Sequence, residues 1–304
     1  MEVVKVLFNQ VIIMFILMAV GFVAYRKKWI TDQGTKDIGK LLLNIAIPIV
    51  VISNFYIEKT AEKTMDLLSS LLFSVLSLAV AILVSALLFH KQDRIGEFAS
   101  AFSNAGFIGI PLVQATFGSG AVFYISMMIV LVNFLQWTYG VYTITDDRSV
   151  MDVKKVMKNP LVLAVAIGLL LYFSQLPLPA IVTTVFSTIS GINTPLAMFS
   201  SGVYLAQSNL WEMIKKKQVY LVSLSRLVLV PLVTIFLFKM LPFGTEELKL
   251  SILCASACPV GSNVAVFAQQ YDKDYKRGVE YVCVSTLLSI ATLPLIIYIA
   301  AFLI

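Results

Sequence analysis

Two stretches of this chain gather residues that could hold a charged solute without carrying charge themselves. One is Phe102-Ser103-Asn104-Ala105-Gly106-Phe107-Ile108-Gly109-Ile110-Pro111-Leu112; the other is Ala257-Cys258-Pro259-Val260-Gly261-Ser262-Asn263. Both interrupt otherwise apolar segments with glycine, proline and asparagine. Proline removes a backbone donor and clashes with the preceding turn. In hydrocarbon an unsatisfied backbone group is costly, so a broken helix persists only within protein or beside a polar cavity. Each break frees amides at one half-helix N-terminus, which attract anions, and carbonyls at the other half's C-terminus, which suit a cation such as Na⁺. If the two broken helices cross at mid-membrane, four such termini converge on a small-anion site built without any full charge.

The candidate substrate-binding residues are therefore Asn104, Gly106, Gly109, Pro111 and Gln114 from the first break, and Pro259, Gly261, Ser262 and Asn263 from the second. Ser103, Gln269, Gln270, Asn44, Asn133, Gln136, Asn193 and Thr194 add polar groups nearby. The plainer reading is that such residues only let helices kink and pack closely. Two breaks in corresponding positions favour a binding role, since paired discontinuous helices mark the site in secondary transporters.

Arg226 lies about seven residues into an apolar segment, roughly 10 Å from its edge. It either snorkels to the interface or faces the transport path or a carboxylate partner. Glu97 and Glu280 each follow an arginine, Arg94 and Arg277, by three residues, the spacing of pairs on a wet helix end. The single histidine, His90, reads as interfacial. Cys254 and Cys258 share a helix face, but two thiols alone complete no zinc site, so no metal is expected. No cofactor is expected, and coupling to Na⁺ stays open because it needs only neutral oxygens.

Composition sets these groups in a membrane. The 304 residues are 59% hydrophobic and 13% charged, about half the share usual in soluble domains; mean hydropathy is +0.90. The net charge of +6 lies in loops, so topology accounts for it and nucleic acid is not an expected partner. The first segment has basic residues after its apolar stretch, so it reads as a retained span rather than a cleaved signal. Stretches of about 20 apolar residues predict ten spans: 6–25, 37–57, 66–89, 95–117, 121–144, 158–176, 179–206, 219–240, 248–271 and 278–303. The odd-numbered loops hold seventeen lysines and arginines and the opposite side five. Both termini are thus expected outside, in a multi-pass cell-membrane protein.

The expected fold is all-α: two five-helix inverted repeats, residues 1–145 and 160–304, joined by a cytoplasmic connection at 146–159, with spans 4 and 9 broken and crossing. Pro48 and Pro111 lie 63 residues apart, Pro195 and Pro259 lie 64 apart, and all four are expected to break their spans. An odd number of spans per unit inverts the second unit.

Other classes fit less well. An embedded protease would need paired aspartates, a Ser–His pair or a zinc motif, and a channel would need a pore-lining filter series; the chain shows none, so it reads as a non-enzyme. A receptor stays open.

Ser103 to Leu112 resembles the fourth-helix motif of the auxin efflux carrier family. Cys258-Pro259-Val260 with Val266-Phe267-Ala268-Gln269-Gln270-Tyr271 resembles its ninth-helix motif, and Asn44 to Pro48 its second helix. The resemblance implies a scaffold of spans 1, 2, 6 and 7, a transport domain of spans 3–5 and 8–10, elevator-type movement, and a small organic anion as cargo. A homodimer is an assembly it allows, with membrane lipid the other partner. Plant members often carry a long loop between the halves. This chain lacks it and is more similar to compact prokaryotic members, some of which are malate or malonate permeases. The bile-acid sodium symporter group shares the ten-span architecture and is the neighbouring alternative.

Overall fold

The computed structural model describes residues 2–90, 92–147 and 157–304. The central part of the expected 146–159 connection therefore lies outside the described residues. Those described form helices and no named strand; the nearest thing to a sheet is a single antiparallel bridge between Ser103 and Val260.

Among the described residues, seven helices are long and apolar enough to cross a membrane, by length and composition. They are α1 (Glu2–Arg26, apolar from Phe8), α2 (Asp32–Phe55), α3 (Ala61–Phe89), α6 (Ser119–Thr145), α8 (Ala180–Gln207), α9 (Lys217–Lys239) and α12 (Tyr275–Leu303). The other three predicted segments are shorter pieces. One is the 15-residue helix α7 (Pro160–Ser174). The remaining two are each split, as α4 (Arg94–Ala101) with α5 (Ala105–Phe117), and as α10 (Glu246–Ser256) with α11 (Asn263–Gln270).

Local chemistry sets many helix starts. Thr31, Thr60, Asp93, Asn159, Thr245 and Asp274 each place a side-chain oxygen on an early amide of the helix that follows, satisfying a donor with no intrahelical partner. Large apolar side chains such as Leu87, Leu170, Ile181 and Phe302 stand exposed on the outer surface, as a lipid-facing surface requires.

The prolines behave differently from expectation. Pro48 does not break α2: a π-helical turn, Leu42–Ala46, precedes it and absorbs the missing donor, and α2 runs on. Pro195 sits inside a continuous α8. Pro111 lies in the first turn of regular α-helix within α5, behind a second π turn, Ala105–Gly109, so the true interruption is upstream at 102–104. Pro259 alone lies in a gap. Proline loses only one bond and a π turn widens the helix to accept it; a full break needs the chain to leave helical geometry, as it does at Phe102 and Asn104.

Two sets of packings stand out, and further contacts join them. α1 lies along α8, and α2 packs on α7 and α8; α3 packs on α4, α6, α9 and α10, and α12 on α9 and α11; between the sets α1 also meets α5 and α12, and α6 meets α2 and α7. At the α1–α8 contact a Cβ on Gly202 would strike the Met18 backbone, so only glycine allows this approach.

Candidate functional site

The two breaks are hydrogen-bonded to each other. The Asn104 amide donates to the Pro259 carbonyl at 2.8 Å, and the Gly261 amide donates to the Phe102 carbonyl at 3.0 Å. Val260 donates to the Ser285 hydroxyl of α12 at 3.1 Å. Glycine at 261 suits this closeness, since a Cβ there would lie a tight 3.2 Å from the Ser103 carbonyl oxygen. Backbone that has left the helix thus finds its partners in the opposite break, as buried polar groups must.

The amide ends open on a cleft. Its volume is about 440 Å³ with the open mouth included, and it is lined by Ser103, Asn104, Gly106, Gly261, Ser262 and Asn263 from the breaks. Leu43 and Ile47 of α2, Ile129, Asn133 and Gln136 of α6 and Leu161 of α7 complete it. Asn104 accepts from the Phe107 amide at 3.3 Å and so caps α5; its Nδ2 has no protein partner among the described residues. Asn263 donates to Gln136 Oε1 at 2.8 Å. Ser103 is 3% exposed, and its hydroxyl has no hydrogen-bond partner among the described residues. A buried hydroxyl left unsatisfied beside a cleft is a place where a ligand atom would be stabilised. The first amides of α5 and α11 lack partners within their own helices, and each N-terminus carries about half a positive charge.

The carbonyl ends are closed. Arg226, 1% exposed on α9, donates through one terminal nitrogen to the carbonyls of Ser100 (3.0 Å) and Ala101 (3.1 Å), and through the other to that of Ser256. It therefore faces protein, ties the C-terminus of α4 to that of α10, and has no carboxylate partner among the described residues.

Not every candidate joins the cleft. Asn104, Gly106, Gly261, Ser262 and Asn263 line it. Gly109 instead meets Ala255 and Cys258, a close helix contact. Gln114 lies almost three turns past Asn104 on α5, outside the cleft lining, because α5 carries it away from the break. Pro111 and Pro259 shape backbone and lend no side-chain donor.

The expected Arg94–Glu97 and Arg277–Glu280 pairs are replaced by tertiary partners. Glu97 turns inward and is 2% exposed; Tyr139 donates to it at 2.6 Å and His90 lies 3.4 Å away. Arg94 pairs with Asp146 at 2.7 Å, and Glu280 pairs with Lys216. Arg277 instead meets Asp93, a buried carboxylate that also accepts from Tyr281 and from Gln218. Asp93 was not singled out by the sequence; its capping position before α4 is the signal that could have shown it.

A second, small recess, about 270 Å³ with its open space included, brings Asn104 and Ser262 against Ser201 and Tyr204 of α8 and Cys283 and Thr286 of α12. Tyr204 also lines a wide vestibule, about 1350 Å³ with its mouth, bounded by Asp32, Lys36, Gln207, Glu212 and Lys276.

Residues 6–156 and 147–297 match the family profile described as "Membrane transport protein". The chain is 21% identical over 310 residues to "Uncharacterized transporter YfdV" of Escherichia coli (strain K12), covering 94% of this chain and 95% of that one. It is 24% identical over 300 residues to an "Uncharacterized transporter" of Methanothermobacter thermautotrophicus, with 94% and 96% covered.

Proposed function

The chain belongs to this membrane transport protein family, whose auxin efflux carrier-like character matches the motifs around both breaks, and from that premise we propose that it carries a small carboxylate across the membrane. The observation that carries the reading is the polarity of the joint. Two helix N-termini, the unpartnered Ser103 hydroxyl and the Asn104 side chain meet at one cleft, whereas Arg226 binds the carbonyl ends. Two N-termini amount to roughly one positive charge, which suits an anion and repels a cation.

In this reading the ten predicted segments are ten spans in two inverted five-span units, both termini lie outside, and α4–α5 and α10–α11 are the crossing spans. α1, α2, α7 and α8 form the scaffold and the remaining helices the transport body. The two packing groups support that division. The cleft abuts α2 and α7, and the second pocket abuts α8, so the joint lies against the scaffold on both sides. An elevator movement of one group past the other would expose it alternately.

Uptake into proteoliposomes tests the proposal. Radiolabelled malate, malonate and monocarboxylates should enter and compete with one another, whereas cations and neutral sugars should not. Uptake confined to cations or neutral solutes would overturn it.

A further inference from the structure

The closing of the carbonyl ends bears on what drives transport. A broken helix leaves its last carbonyls without intrahelical partners, and in transporters built on such breaks those carbonyls are where a coupling cation binds. Here protein groups already occupy most of them. Arg226 takes Ser100, Ala101 and Ser256. The Gly261 amide takes Phe102, the Asn104 amide takes Pro259, and the Cys258 thiol takes Cys254 at 3.3 Å.

The charges also match. Two helix C-termini carry roughly half a negative charge each, together about one. One guanidinium, which stays protonated in proteins, offsets that charge from a fully buried position. Its planar fork reaches both helices at once, which a lysine ammonium would do less well.

On the reading of the chain as a carboxylate transporter, we infer that Arg226 is a built-in cation that occupies the place of a coupling ion, so that carboxylate transport here is independent of Na⁺. Arg226 is a positioning residue: it holds the two C-termini together and leaves the N-termini facing the cleft. It moves with the body that carries the joint, so no cation has to bind or leave in each cycle.

The experiment has two arms. In the first, the parent protein in proteoliposomes takes up radiolabelled malate and malonate from sodium chloride or choline chloride at matched ionic strength. Equal rates are expected; a requirement for Na⁺ would overturn the inference, and no uptake in either medium would instead sink the carboxylate reading. In the second, the melting temperatures of purified parent, Arg226→Ala and Arg226→Lys are followed as sodium chloride, guanidinium chloride or choline chloride is added at low millimolar concentration. Arg226→Ala should melt lower and recover with guanidinium or Na⁺ but not choline, because its carbonyl cradle is empty. Arg226→Lys should lie between, and the parent should respond to none. A variant as stable as the parent, or an unstable one that neither cation restores, would contradict the built-in cation. If Arg226→Ala does not fold, the parent's sodium response and Arg226→Lys decide the matter.

Discussion

Asn104 donates its backbone amide to the carbonyl of Pro259 at 2.8 Å, joining two interruptions that lie in different halves of the chain. The same asparagine caps α5 with its side-chain oxygen and keeps its amide nitrogen beside the cleft. One residue thus ties the backbone of one break to the other, starts the helix that follows it in its own half, and keeps a donor beside the cleft. The cleft and the pocket on the α8 side both touch it.

The basic bias of the odd-numbered loops predicts their side. A cysteine introduced at Lys216 should react with an impermeant thiol reagent in inside-out vesicles and stay unlabelled in intact cells. Labelling from outside would reverse the topology.

Tyr204 is shared by the vestibule and the pocket that reaches Asn104. A bulkier Tyr204→Trp should narrow that passage. With the native cysteines replaced, reagent entering from the vestibule side should modify Thr286→Cys more slowly when Tyr204→Trp is present, and Val279→Cys at the vestibule wall at an unchanged rate. Equal slowing at both positions would remove the passage from this account.

Glu97 is buried and keeps the Tyr139 hydroxyl as a donor. Tyr139→Phe leaves that carboxylate short of a hydrogen bond, which should destabilise the protein by about 1.5–3 kcal/mol. Thermal unfolding in detergent measures it; a variant as stable as the parent would show that Glu97 does not depend on Tyr139.

The α1–α8 contact predicts a steric effect. Gly202→Ala puts a methyl group into the Met18 backbone, whereas Gly39→Ala meets open space. The first should lower stability by about 1–3 kcal/mol, as overpacking does, and the second should not.

The apolar segments and the meeting of the breaks' residue types were legible because hydrophobic length and Gly-Asn-Pro clusters are local signals. The positions of the breaks were less so. Pro48, Pro111 and Pro195 mark π turns or continuous helix, because a helix can widen or give up one bond without parting. Glu97 and Glu280 were misassigned because three-residue spacing makes a pair available without making it the best one; Tyr139 and Lys216 come from other helices. For Arg226 the sequence leaves snorkelling and an inward position open, and its role as a clamp on carbonyls needs the third dimension. Gln114 shows the converse: sequence proximity to a break does not keep a side chain there once a helix carries it away.

A carboxylate is expected to bind where the two breaks meet, and equilibrium binding of radiolabelled malonate and malate to purified parent, Asn104→Ala and Asn263→Ala measures this. Asn104 would contribute its free Nδ2, and Asn263 would contribute through its place in the cleft beside Gln136. Removing one hydrogen-bond partner of a charged ligand costs about 1.5–3 kcal/mol, so each variant should bind roughly ten- to hundred-fold more weakly while remaining folded. If both variants bind carboxylates as the parent does, the joint is not the site.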